Sequence, residues 1–151
     1  MPHALFLNPL HQQAGAAMGP WRDWMVPLRF SDVATEYGAV RQRVGLLDWS
    51  TTGLIRIGGA DQTAFLQGLV TNDVKALTPG TGCHACLVHP TAKLLAELLV
   101  VADVDGHWLL TDRGRLGVVL ETLQHYVITE DVVCEDQSIR WVVLALQGPA
   151  S

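Results

Sequence analysis

The chain has 151 residues, of which 49% are hydrophobic and 17% charged, and its formal net charge is −5. This supplies ample apolar material for a core and too little charge for extended disorder. The negative balance excludes a nucleic-acid partner held by bulk electrostatics, although a local pocket can still oppose the global sign.

No secretory signal is visible. Met1 to Leu10 has no basic segment and only a very short apolar run. The longest apolar stretch, Leu94 to Val104, is interrupted by Glu97 and Asp103 and is too short to span a bilayer. Cys83, Cys86 and Cys134 do not make a disulfide framework. A reduced, cytoplasmic setting without a membrane partner is the expectation.

In chain order, residues 1–30 show no clear period, and Trp21, Trp24, Met25, Val26 and Leu28 suggest an irregular segment laid over a core. Ser31 or Asp32 can cap a helix carrying Val33, Tyr37, Val40 and Val44 at helical spacing, with Glu36 near its first turn and Gly45 ending it. Leu54 to Ile57 reads as a short strand. Asp61 to Leu69 reads as a helix with Ala64, Phe65, Leu66 and Leu69 inward. Three strands follow, Cys83 to Val88, Leu94 to Ala102 and His107 to Thr111, the last two joined through Asp105-Gly106 as a hairpin. Arg115 to His125 is a further helix with Leu116, Val119, Leu120 and Leu123 on one side, and Val132 to Glu135 is a strand.

Ile139 to Gln147 reads as a buried strand, and Gly148-Pro149 as a turn after it. An apolar strand ending there has an unprotected edge, so the chain is expected to be the N-terminal part of a longer protein. The interleaving predicts an α+β fold with a mostly antiparallel mixed sheet and two to three helices. The expected boundaries are 1–50, an N-terminal segment and helix; 51–138, an α+β subdomain; and 139–151, the first strand of a following subdomain.

Taken residue by residue, most polar positions have a structural account. Cys83-His84-Ala85-Cys86 invites a metal reading, but in a strand an odd separation points the two thiols to opposite faces. Asn72-Asp73 fits an Asx-type turn, and Asp48 with Ser50 and Thr51 is turn chemistry. Glu97 stands between Ala96 and Leu98 in an apolar run, where it is either a solvated strand residue or a functional carboxylate. His84 is either a packed, hydrogen-bonded side chain or part of a site. No Ser/His/Asp order, phosphate loop or dinucleotide fingerprint is present, and no metal site is expected.

The ordered set Leu10-His11, Gly15-Ala16, Trp24-Met25-Val26-Pro27, Tyr37, Ala39-Val40-Arg41, Gly45-Leu46-Leu47-Asp48, Ser50, Gly53, Phe65-Leu66-Gln67 and Thr71-Asn72-Asp73-Val74 resembles the tetrahydrofolate-binding aminomethyltransferase superfamily. That superfamily includes the glycine-cleavage T-protein and the YgfZ-type iron–sulfur maturation proteins. The match runs from about Leu10 to Ala150 and corresponds to the N-terminal part of the family's usual length. The resemblance implies tetrahydrofolate, or a one-carbon derivative, as ligand. The T-protein carboxylate beside the reacting folate nitrogen then falls on Glu97. Alternate strand residues share a face, so Leu99 and Val101 would line the same wall, where apolar surroundings would favour a protonated carboxyl. Other pocket positions of the family map to Thr52, His84 and Arg113.

Departures from the T-protein pattern are Thr51-Thr52 for His-Met, His84 for a tyrosine, Ala92-Lys93 for Gly-Gly and Glu97 for an aspartate. A carboxylate displaced by about 1 Å can lose large factors in rate. Lys93 together with Gln67-Gly68 resembles the YgfZ branch. The reading is therefore a folate-binding, YgfZ-type protein acting in one-carbon or iron–sulfur maturation chemistry, with iron–sulfur client proteins as partners. The alternative is a T-protein-like aminomethyltransferase served by a lipoylated carrier protein, and a third is an interaction domain that has lost folate binding.

Overall fold

The computed structural model describes residues 1–151. The chain divides into two compact units, one formed by Met1–Thr51 with Val142–Ser151 and the other by Thr52–Trp141. Both are built from helices and mostly antiparallel strands, the α+β class implied by the interleaving.

In the first unit β1 (His3–Ala4) pairs in parallel with β3 (Trp24–Arg29), which pairs on its other side with β2 (Ala17–Trp21) in antiparallel register. The helix α1 (Asn8–Gln13) precedes β2 and carries Pro9 in its first turn, where a missing N–H costs nothing. Residues 1–30 are therefore not irregular. Their small sheet escapes a period search because β2 and β3 are half-exposed, carry prolines, and shift register between Ala17 and Met18. His11 Nε2 lies 2.7 Å from Asp48 Oδ2, and Asp48 Oδ1 accepts the Ser50 N–H at 2.8 Å, so the Asp48-to-Ser50 motif is turn chemistry.

The helix α2 (Val33–Gln42) is capped by Asp32, whose Oδ1 accepts the Thr35 N–H at 3.0 Å. Glu36 accepts the Ser31 and Phe30 N–H groups. These hydrogen bonds hold both carboxyls below the ordinary carboxylate range, through the Thr35 hydroxyl first for Asp32 and the Ser31 N–H first for Glu36. The apolar positions at helical spacing are not fully buried. Val33 and Tyr37 are 69% and 65% exposed, and no residue of α2 is buried. Capping supports this short helix, and of its apolar positions only Val40, half-buried beside Gly45, packs within the chain. After it comes β4 (Gly45–Asp48).

The second unit opens with β5 (Thr52–Gly58) and α3 (Gln62–Leu69). Between them Gly59 has φ +104°, and a Cβ there would lie 2.0 Å from the Asp131 carbonyl oxygen, so only glycine fits. Phe65 and Leu66 of α3 are buried, but Ala64 is exposed, contrary to the helical-face assignment. Next come β6 (Gly82–Val88), β7 (Leu94–Asp103) and β8 (Gly106–Asp112), then a single 3-10 turn (Arg113–Arg115), α4 (Leu116–Tyr126) and β9 (Val133–Asp136). All five strands are antiparallel neighbours in the order β6-β7-β8-β5-β9.

One face of this sheet is the core. Ile55, Ile57, Leu98, Val100 and Leu109 are at most 2% exposed and belong to one cluster with Phe65, Leu66, Val119 and Leu123 of the helices. The spacing of Leu116, Val119 and Leu123 is the apolar stripe of an amphipathic helix. The motif Thr71-Asn72-Asp73 protects the outer edge of β6: Thr71 exchanges two hydrogen bonds with Cys86, and Asn72 Nδ2 donates to the His84 carbonyl at 2.8 Å. Asn72 Oδ1 also accepts the Asp73 N–H, the Asx turn read from sequence.

The chain returns to the first unit with β10 (Leu144–Gln147), antiparallel to β4. The buried strand expected over Ile139 to Gln147 is shorter and more open. Gln137 to Arg140 forms a turn, Ile139 is 84% exposed, and Leu144 and Leu146 face outward on the ribbon. Apolar content alone exaggerated it. Gly148 then turns at φ +138°, where a Cβ would meet the Arg43 carbonyl oxygen at 2.4 Å.

Two outcomes are expected. In the β6–β7 hairpin Ala92 has φ +63°, after a turn closed by its N–H to the His89 carbonyl at 2.8 Å. This left-handed position favours glycine, so Ala92→Gly should raise stability in urea denaturation by about 0.5–1 kcal/mol, the relieved strain exceeding the added chain entropy. Buried His107, its Nδ1 3.2 Å from Gln62 Oε1, is pushed below the ordinary imidazole value by burial first and then by Arg56. Its contribution is complete above the unfolded value of about 6.5 and is lost as pH falls through the lower folded value. The thermal midpoint should therefore fall more steeply on acidification in the wild type than in His107→Gln; equal slopes would remove His107 from the account.

Candidate functional site

Strand alternation gives the five-stranded sheet a second face, turned away from α3 and α4. On β7, Ala96, Leu98, Val100 and Ala102 are buried, whereas Leu99 and Val101 are half-buried and Glu97 is exposed. The antiparallel register arranges this second face in rows. Glu97 lies opposite Cys86, Leu99 opposite His84 and Val101 opposite Gly82. On the other side Leu99 faces Leu110, which faces Leu54; Val101 faces Trp108, which faces Arg56. Two residues beyond the Leu99–Leu110 pair stand Glu97 and Asp112, and Asp112 is opposite Thr52.

Five of the six residues singled out from sequence, Glu97, His84, Leu99, Val101 and Thr52, thus share one face of one sheet. Arg113 does not lie on a strand. It opens the 3-10 turn after β8 and donates from Nη1 to the Ser138 carbonyl at 3.1 Å. Since β5 runs between β8 and β9, this bond reaches across the start of β5, where Thr52 stands. Glu97 is not enclosed by its neighbours, so the apolar surroundings expected for its carboxyl are not supplied by its own strand. Its carbonyl accepts the Thr111 hydroxyl at 3.0 Å, which joins β7 to β8 at this end.

The face changes character along the strands. At one end stand the polar side chains of Glu97, Thr52 and Asp112. In the middle lie Leu99, Leu110 and Leu54, with His84 at the β6 edge of the same row. Roughly 13 Å along β7 from Glu97, at 3.3 Å per residue, the far end is closed by an aromatic and ionic cluster. There the Arg56 guanidinium sits 4.9 Å from the Trp108 ring centre and 3.6 Å from Asp103 Oδ2, while Trp108 Nε1 donates to Asp103 at 3.2 Å. The Val104 N–H first, and then this indole, hold Asp103 below the ordinary carboxylate range. Trp141 packs edge-on against Trp108 with centroids 6.0 Å apart.

Cys83 and Cys86 do project to opposite faces: Cys83 packs on the core cluster, and Cys86 is in the row of Glu97. Burial pushes the Cys83 thiol up, with Asp73 adding to the effect, and burial pushes Cys134 up as well, which disfavours the reactive thiolates. Sequence reasoning missed Asp112, Leu54, Leu110 and Ser138. The alternation along β5 and β8 carried a signal for the first three, but which strands become neighbours did not follow from it.

The fold is that of the N-terminal part of a glycine-cleavage T-protein. The structure of glycine cleavage system aminomethyltransferase T from Bartonella henselae superposes with a TM-score of 0.87 and 26% identity, covering 99% of this chain and 42% of that one. The chain belongs to the GCVT N-terminal domain family, which matches residues 7–151. Similar proteins include the aminomethyltransferases of Bacillus subtilis, 32% identical over 95% of this chain and 40% of the relative, and of Anoxybacillus flavithermus, 35% identical over 95% and 39%. The chain thus spans about two fifths of the length of these curated relatives. They support the aminomethyltransferase side of the sequence reading, and the YgfZ-type iron–sulfur role gains nothing from them. No helix is long and apolar enough to cross a membrane.

Because Glu97 and His84 are exposed, neither holds the fold together. Glu97→Gln and His84→Gln should each leave the unfolding free energy from urea denaturation within about 0.5 kcal/mol of wild type. A larger loss for either would give that residue a structural role.

Proposed function

We propose that this chain is the folate-binding N-terminal part of a T-protein-like aminomethyltransferase. The observation that carries the reading is the gathering of Glu97, His84, Leu99, Val101 and Thr52 on the sheet face opposite the helices. That face suits an elongated ligand with a polar heteroaromatic end and an apolar middle, as tetrahydrofolate has. When bound, tetrahydrofolate supplies the amine nitrogen that takes up the one-carbon unit.

The chain's own residues then have separable tasks. The Glu97 carboxylate accepts an N–H of the reacting amine and holds its proton, which orients the nitrogen. Leu99, Val101 and their neighbours Leu110 and Leu54 offer an apolar wall that displaces water. The Thr52 hydroxyl and the Arg113 guanidinium are donors at the polar end, and His84 flanks the wall beside Leu99. The aminomethyl group arrives on a lipoylated carrier protein. The names of the relatives favour transfer over iron–sulfur maturation, to which only Lys93 and Gln67-Gly68 point.

Calorimetric titration of the full-length protein with tetrahydrofolate should show saturable binding, and a glycine-cleavage assay with lipoylated carrier protein should show turnover. Glu97→Ala should lower kcat by about 10²-fold or more. Absence of binding sinks the folate reading; binding without turnover sinks the transferase reading; an unchanged kcat removes Glu97 from the mechanism.

A further inference from the structure

Ser138 lies outside every motif that pointed to the site, yet it is 6% exposed and engaged on all sides. Its Oγ accepts the Leu54 N–H at 2.9 Å, its N–H donates to Asp136 Oδ1 at 2.8 Å, and its carbonyl accepts Arg113 Nη1 at 3.1 Å. The preceding Gln137 N–H donates to the Leu54 carbonyl at 2.8 Å. One buried residue therefore joins the beginning of β5, the end of β9 and the arginine that follows β8. Two residues before Leu54, on the same face of β5, stands Thr52.

We infer that Ser138 is a positioning residue for the polar end of the site, fixing Arg113 and the Thr52 end of β5 in one arrangement. Its backbone carbonyl holds the guanidinium, and its hydroxyl holds that carbonyl in place by anchoring the peptide to Leu54. A buried donor left without its acceptor is destabilised, so removing the hydroxyl frees the Leu54 N–H to seek another partner and lets the Ser138 carbonyl shift away from Arg113. Ser138 need not touch the ligand. Its effect passes through Arg113, and the role rests on the folate reading proposed above.

The test is a double-mutant cycle on tetrahydrofolate affinity in the full-length protein, with thermal unfolding recorded for each variant. Ser138→Ala and Arg113→Ala should each weaken binding about tenfold, and the double variant should also weaken it about tenfold rather than about 100-fold, because the two act as one unit. A purely structural Ser138 would lower the thermal midpoint and leave the two effects on affinity additive. Should Ser138→Ala not fold, Ser138→Cys, near in volume but a poor acceptor, takes its place in the cycle. Wild-type protein that binds no tetrahydrofolate overturns the folate reading and this role with it. Wild-type binding with additive effects, or with unchanged affinity in the Ser138 variant, overturns the positioning role alone.

Discussion

Burial of one face of the β6-β7-β8-β5-β9 sheet under α3 and α4 is the constraint on which the second unit depends. Side chains alternate along a strand, so once Leu98 and Val100 are committed to the core, Glu97, Leu99 and Val101 are committed to the other side. A slip of one residue in β7 would bury Glu97 and expose the core leucine together. The same hydrophobic burial that stabilises the sheet therefore aims the candidate site.

Around this constraint the motif residues divide into two kinds. Thr71, Asn72 and Asp48 satisfy backbone groups at strand edges and turns, Asp48 by accepting the Ser50 N–H, and their spacing records local hydrogen bonding. Thr52, His84 and Glu97 satisfy no comparable need. Their positions follow from register, and the fold has no evident use for their side chains. Ser138 belongs to both kinds, since it closes the end of β9 while holding Arg113.

The first unit shows a different balance. Its pairing of β10 with β4 joins residues about 100 positions apart in the chain, and the ribbon so made leaves Leu46, Leu144 and Leu146 outward. The α2 stripe is likewise exposed. These apolar surfaces explain why hydrophobicity read along the chain overstated burial here: composition reports what a segment can bury, and packing requires a partner.

The amino-acid sequence by itself determined the α+β class, the strands of the central sheet, the helices α3 and α4, and the motif series that resembles the aminomethyltransferases. These depend on period, turn chemistry and capping, which act within a few residues. It also determined that Glu97, Leu99 and Val101 share a face, since that follows from the pleat alone. Only the tertiary structure decided which strands are neighbours, and so that Thr52, His84 and Glu97 share one sheet face, that Asp112 stands opposite Thr52, and that Ser138 reaches Arg113. Such contacts join residues far apart in the chain. They are set by which apolar faces find each other, and no local pattern encodes that choice.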